Sequence, residues 1–505
     1  MATKSLEWFH KILENIRVDI DRSRYLEELH IATSSLNASD LVAIVPHLQL
    51  NIIFDCLNTS EKTQLEQAIS IIKKLLSVLN SVDIIKLYGA PLGRALEHPD
   101  VQAKELVLNE LNRAASNVDL LTIICKEVPL LASVIECIKS ETLSLASTAT
   151  QFLNELGKIQ PGIAVLFNPP LINHLKDISA INDTVKLRVH EIIVNISVHS
   201  VDGLQASIKS EILLELLNDV KSKDILVQLT SLETVTKLAL TNHGLQFLKE
   251  QGFLQYIQEQ LKDNNALNSL LLPGFIKFFG NVAQTRPQEI ITEFPTVFNL
   301  VYELYDANDP ILSNLALETI GFIASAPDGK LALNQHDVRM RGVVQYLGKV
   351  ITLQASDRKV VALNVFTNIV QLNIISQTPE LLAITKKWFS QLSENPVKTI
   401  ISVCEKPFYE LKLAGLASLN AIAEQPWGQE EIFKCPGLIE YLLNRNEEGD
   451  MNCKAAKFKI VKTISDSPFS RNVFPADIIS RFQLHVKQGI VFVQNKTEVA
   501  LESAA

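Results

Sequence analysis

An all-α architecture built from repeats is predicted by three features of this 505-residue chain. Hydrophobic residues reach 47% while aromatics are only 6%, and 18 glycines and 19 prolines are too few for the loops of an all-β protein. The length far exceeds one ordinary core, which leaves either several domains or an extended array. A recurring local grammar favours the array: FLNELG (152–157), IIVNIS (192–197), FFGNVA (278–283), FTNIV (366–370), LNAIA (419–423) and VKTIS (461–465) share one apolar and polar order.

The apolar residue before the last small or polar one serves as an anchor: Leu111, Leu156, Ile196, Leu238, Val282, Ile323, Ile369, Ile422 and Ile464. Successive anchors lie 40 to 46 residues apart except for one interval of 53, and roughly 40 to 47 is the period of armadillo and HEAT repeats. Three residues before each anchor stands another large apolar residue: Leu108, Leu153, Ile193, Val235, Phe279, Ile320, Phe366, Leu419 and Val461. Residues three apart share a helix face, so each pair marks an inward stripe, and stacking the stripes makes a core. The predicted fold is a right-handed α-solenoid of armadillo/HEAT-like repeats with a period of about 40–46 residues.

In chain order, residues 1–90 are expected to form degenerate capping repeats, of which TQLEQAISIIKKLLSVLNS (63–81) is one. Residues 91–475 form the repeat array of one continuous solenoid, and 476–505 a helix or strand-like cap with a frayed tail. After several anchors a turn appears, as in Gln160-Pro161-Gly162 and Ala326-Pro327-Asp328-Gly329. A short helix and a second break follow before the next long helix, which gives three helices per repeat. Asp100, Asp183, Asp224, Asp309 and Asp357 are placed to cap the long helices, Asp309 with Pro310 at the first helical position, and the same spacing assigns Asn268 to the helix containing FFGNVA. Pro273 then falls inside that helix, where it costs on the order of 3 kcal/mol unless the helix bends. A kink near Pro273 is one reading; a fresh helix starting at Pro273 is the other. Trp427 is expected to pack between repeats.

With 47 basic against 56 acidic residues the formal net charge is −9, poor material for binding phosphates, so no nucleic acid is expected. Cys56, Cys125, Cys137, Cys404, Cys435 and Cys453 are dispersed with no C-x-x-C pair and read as reduced thiols, which suits the cytosol or the nucleus. The N-terminal stretch MATKSLEWFHKILENIRVDIDR has no uninterrupted apolar region and does not read as a signal peptide; no run is long enough for a membrane span. A monomer is expected.

Chemistry is sparse. Gly329-Lys330 is followed by Leu331, so no Walker loop forms, and His190-Glu191 has Val194 where a zinc-binding helix needs its second histidine. Cys404, Cys435 and Cys453 are too far apart for a zinc knuckle. No catalytic residue, cofactor or metal is predicted. The polar positions beside the core stripe carry more information. Immediately before the anchors, and four residues earlier on the same face, stand Glu191, Asn195, Glu233, Lys237, Lys277, Asn281, Glu318, Asn364 and Asn368. In armadillo arrays this face lines the concave groove, and GNVA resembles that family's ladder asparagines, so these nine are the candidate partner-binding residues. The competing reading is that they are only the solvated side every helix needs. Where peptide-binding armadillo receptors place tryptophans four residues before the asparagines, this chain has Glu191, Lys277 and Asn364. That substitution favours a folded partner met through a polar, partly wet contact. Should the ladder be merely solvated, the convex loop Gln425 to Gln429 becomes the alternative contact.

The stretches LPGFIKFFGN (272–281), AIAEQPWGQEEIFKCPGLIEYLLNR (421–445), HPDVQAKELVLNEL (98–111) and TNHGLQFL (241–248) resemble the armadillo/HEAT-repeat chaperones of proteasome base assembly. The resemblance covers nearly the whole chain and is weakest in the first 90 residues and the tail. It implies a non-enzymatic chaperone that clasps the C-terminal domain of the proteasomal ATPase regulatory subunit 7. The same module would hold regulatory subunit 4 and non-ATPase regulatory subunit 2, and the chaperone would leave before the 26S particle is complete. It implies no short contact motif. The alternative function is an importin-like adaptor for a cargo protein, which predicts the tryptophan and asparagine ladders that are incomplete here.

Overall fold

The computed structural model describes residues 6–18, 21–59, 61–262, 266–445 and 448–491, with backbone alone for 266–269. Among the described residues all regular structure is helical. The chain divides into two compact units, Met1–Gln251 and Gly252–Ala505.

The first unit opens with six helices, Leu6–Arg17, Arg22–Ser35, Ala38–Ile44, Asn51–Asp55, Lys62–Leu76 and Ser81–Glu97. Four long helices follow: α1 (Val101–Ala115), α2 (Leu143–Leu156), α3 (Asp183–His199) and α4 (Ile225–Ala239). The second unit holds five more: α5 (Ala266–Thr285), α6 (Pro310–Ala324), α7 (Ser356–Val370), α8 (Tyr409–Ala423) and α9 (Met451–Asp466). Further helices separate them, Gln160–Leu166 and Leu171–Ser179 after α2 for example, which is the α-solenoid grammar of three helices per repeat.

All nine anchors and the nine residues three before them are at most 1% exposed. Within each unit consecutive long helices pack side by side, so the stripes of one helix close on those of the next. Each such side chain contributes about 1.5–3 kcal/mol on burial, which is why the stripe tolerates only large apolar residues. The 53-residue interval has a local cause. Between α7 and the next helix, Pro379–Ser390, the chain inserts an eight-residue segment, 371–378, with a 3-10 turn at Ile374–Ser376, whereas Ser325 and Ala326 alone separate α6 from Pro327–Asn334.

Three of the expected caps form. Asp100 accepts from the Gln102 and Ala103 amides at 2.8 and 3.4 Å, Asp224 from those of Leu226 and Val227 at 2.8 and 3.3 Å, and Asp309 from Ile311 at 2.8 Å beside Pro310. Three do not. Helix α3 is capped by Asn182, which accepts from Val185 N–H at 2.9 Å, and Asp183 is already helical. At α7 the capping position is Ala355, and Asp357 sits in the first turn, where its charge favours the helix dipole. Helix α5 starts at Ala266, so Asn268 lies inside it. Counting back from a buried stripe locates a helix start only to within a turn; the cap goes to the residue whose extended backbone brings its side chain to the free amides. Helix α5 also continues unbroken through Pro273, so the reading in which Pro273 begins a new helix is incorrect.

Helix C-termini present carbonyls without intrahelical partners, and buried side chains from the same or a neighbouring repeat supply the donors. Buried Gln425 donates to Val370 O at 2.7 Å, and buried Gln429 to Ala423 O at 2.9 Å. The stretch Gln425 to Gln429 is therefore interior at both glutamines and does not offer them as a convex contact surface. Trp427 packs between repeats as expected: it is 4% exposed, lies 5.0 Å from the Phe389 ring, and donates from Nε1 to Gln425 Oε1 at 3.0 Å. Lys330 is fully buried, and its Nζ donates to Asn368 O and Ile369 O at 2.8 and 2.9 Å and to Ala324 O.

The cysteines are all free thiols; five are buried and Cys435 is half-buried. Burial pushes Cys137 up to about 11 and Cys404 up to about 12, which keeps both protonated near neutrality. The expected frayed tail lies outside the described residues from 492 onward.

Candidate partner-binding groove

In the second unit, α5, α6 and α7 lie side by side. Their anchors point into the core, so the residues just before the anchors stand at its edge. Between the three helices the surface opens into a groove of about 390 Å3. Five of the nine candidates line it: Lys277 and Asn281 from α5, Glu318 from α6, and Asn364 and Asn368 from α7. Glycine helps to set its depth. A Cβ on Gly280 would meet Thr319 Cγ2 at 2.9 Å, so α5 and α6 approach more closely than any larger residue permits there.

Between these polar side chains the lining is mostly apolar. Leu315, Thr319, Val361 and Val365 form the base, and Phe322 stands 41% exposed on the wall. Sequence reasoning passed over these five because four are apolar and Thr319 stands at neither of the two positions counted back from an anchor. Phe322 nevertheless occupies the ladder position of its repeat, just before the anchor Ile323, so an aromatic among amides was the available signal. The remaining four are visible only once three helices are placed together.

The side chains of Lys277, Asn281, Glu318, Asn364 and Asn368 make no hydrogen bond or ion pair with the described residues. Lys277 and Glu318 carry opposite charges, yet they do not come within ion-pair distance of each other. The four candidates in the first unit behave differently. Lys237 Nζ reaches Glu191 Oε1 at 2.9 Å, bridging α4 and α3. Asn195 is half-buried and Glu233 exposed on those helices. The structure thus gathers one set of ladder residues around a groove and ties two of the other set to each other.

His190 is fully buried, 3.8 Å from Asp219 across Nδ1 and Oδ2, and burial pushes its pKa down to about 4. It is part of the core. Among the described residues no cluster of three or more His, Cys, Asp or Glu side chains could hold a metal ion, and no helix is long and apolar enough to cross a membrane.

Comparison with known proteins adds the lineage. Kap121p, a karyopherin whose crystal structure was solved with the extreme C-terminus of the phosphatase Cdc14p, superposes with a TM-score of 0.56 at 12% identity over 95% of this chain and 51% of its own, a likeness of fold alone. The 26S proteasome non-ATPase regulatory subunit 5 of Bos taurus is 33% identical over 95% of this chain and 96% of its own length. The Homo sapiens protein of the same name is 32% identical with the same coverage. The family described as Proteasome non-ATPase 26S subunit matches residues 5–505. With helical repeats, buried stripes and relatives aligned over nearly their full length, this chain belongs to the proteasome non-ATPase 26S subunit family.

Proposed function

We propose that this protein is a non-catalytic chaperone for assembly of the 26S proteasome regulatory particle base, holding an ATPase subunit and leaving before the mature particle forms. The observation that carries the reading is the joining of the family relationship to a groove whose polar side chains have no partner within the described chain. The partner is the C-terminal domain of ATPase regulatory subunit 7, in a precursor module with regulatory subunit 4 and non-ATPase regulatory subunit 2. Lys277, Asn281, Glu318, Asn364 and Asn368 make the principal contacts, with Glu191, Asn195, Glu233 and Lys237 as an accessory polar face. The work is done in the cytoplasm by a chain that is monomeric on its own.

Affinity capture from cell extract followed by native gel separation tests this. ATPase subunits recovered in free base modules, and missing from complete 26S particles, are expected. Recovery of nuclear cargo without any ATPase supports an importin-like adaptor and ends the chaperone reading.

A further inference from the structure

Across the second unit, large apolar side chains recur where the long helices begin. Leu270 of α5, Ile311 of α6, Leu353 just ahead of α7, Phe408 and Tyr409 at the start of α8 and Met451 at the start of α9 are between 44% and 77% exposed. Single exposed apolar residues are ordinary on any surface, whereas a line of them marks a contact. Side-chain contacts bring these helix starts together. Arg358 Nη2 donates to Ser313 Oγ at 3.0 Å between the first turns of α7 and α6, and Asn452 Nδ2 to the Tyr409 hydroxyl at 2.7 Å between those of α9 and α8. Farther along, the Thr367 and Ser418 hydroxyls lie 2.8 Å apart, at similar depths in α7 and α8. The close approach of Gly280 to Thr319 sets Leu270 within a turn of the height of Ile311. The five helices therefore run parallel with their N-termini on one rim, and the row follows that rim, apart from the groove, whose lining comes from farther along each helix.

Charge and spacing say what covers the row. Among the described residues 305–311, 353–359, 405–411 and 448–452, the exposed charges are Asp306, Asp309, Asp357, Glu405, Glu410 and Asp450 against Lys406. Lys349, one turn before Leu353, is exposed as well, while Arg358 and Lys359 are half-buried with donors engaged on Ser313, Tyr346 and Thr352. A second copy of this chain would set carboxylates against carboxylates, since a twofold contact joins a patch to itself. A basic partner meets them favourably. Packed helices stand about 8–10 Å apart, so the apolar rungs recur at about that interval. A helix laid along the rim repeats one face every heptad, about 10.5 Å, whereas a strand does so every second residue, about 6.6 Å. We infer that this rim is a second interaction surface, occupied by an amphipathic helix of a protein partner with apolar residues at heptad spacing and lysine or arginine on its flanks. It is separate from the groove and stands whether or not the chain is a chaperone.

The test uses the full-length chain and a fluorescein-labelled peptide of four Leu-Ala-Lys-Leu-Ala-Lys-Lys heptads, with binding read by anisotropy. One control peptide keeps the composition but spreads the leucines round the helix; a second carries glutamate for lysine. The heptad peptide is expected to bind and both controls to bind at least tenfold more weakly. Ile311→Ser/Phe408→Ser, at two exposed positions, should weaken the heptad peptide at least tenfold with the circular dichroism spectrum unchanged. Asp306→Lys/Glu405→Lys, which leaves the apolar row intact, should weaken the lysine peptide and strengthen the glutamate one. Val338 is 82% exposed at the start of the helix Asp337–Leu353, about 22 Å from the end that carries Leu353, so Val338→Ser should change nothing. Equal binding of the scrambled peptide, an equal loss in Val338→Ser, or unchanged affinity in both rim variants overturns the inference. Sedimentation velocity without peptide is expected to show a single monomeric species; a dimer that Ile311→Ser/Phe408→Ser abolishes gives the rim to a second copy and overturns it too.

Discussion

Lys330→Met is the substitution whose consequence the structure defines most sharply. Lys330 is fully buried, and three carbonyls from the ends of α6 and α7 converge on its Nζ: Ala324, Asn368 and Ile369. Methionine matches the stem in length and volume, so no cavity opens. What disappears is the donor, leaving three C-terminal carbonyls in an apolar interior. Each stranded group costs about 1–3 kcal/mol, but a methionine also escapes the penalty of burying an amine, so a net loss of about 2–4 kcal/mol is expected. Hydrogen exchange measured by mass spectrometry on the intact chain reads this locally. Peptides spanning 318–335 and 363–372 should exchange about 30- to 1,000-fold faster in the variant, while α3 and α4 keep their protection.

The pH dependence gives a second signature. Burial pushes the Lys330 pKa down from its ordinary 10.5 to about 7. Between those values the unfolded chain binds more protons than the folded one, so the contribution of Lys330 to stability rises with pH across that window and is smallest below pH 7. From pH 7 to 9 the protection gap between the native chain and Lys330→Met should widen by about 2 kcal/mol. Equal protection at α6 and α7 in the two proteins would refute the clamp.

Two further outcomes follow from the first unit. Burial holds His190 down to about 4 against an ordinary 6.5, so its share of stability is present above pH 6.5 and lost as pH falls toward 4, up to about 3 kcal/mol; amide protection of α3 followed over that range should fall, and His190→Leu should flatten the dependence. Lys237 and Glu191 are 46% and 44% exposed at their side chains, so a double-mutant cycle by chemical denaturation should return no more than about 1 kcal/mol of coupling, vanishing in 1 M salt.

Much of the helical framework could be read before any coordinates. The pairs from Leu108 and Leu111 to Val461 and Ile464 were visible as a spacing, and all are buried. A core stripe announces itself because burial demands large apolar residues at intervals dictated by helix geometry alone. Caps were less legible: Asp183 and Asp357 lost their places to Asn182 and Ala355 because capping depends on the backbone dihedrals of one residue, which periodicity does not encode. Gln425 and Gln429 read as exposed and proved interior: Gln425 reaches the Val370 carbonyl of the preceding repeat, and Gln429 turns back onto the Ala423 carbonyl six residues before it.

The candidate site divides along the same line. Which residues stand beside the stripe follows from counting along one helix, so the sequence by itself determined the positions of Asn281, Glu318, Asn364 and Asn368 and the repeat they belong to. Whether such a residue is available was decided by tertiary structure alone. Lys237 stands one residue before its anchor and Lys277 five before the next; one is answered by Glu191 on the neighbouring helix, the other by nothing among the described residues. The groove itself arises because Gly280 lets α5 close on Thr319 while Phe322 stands out from α6. A cavity is a relation among surfaces from three helices, and its shape depends on interhelical distances set by packing, a quantity absent from the spacing of any one of them.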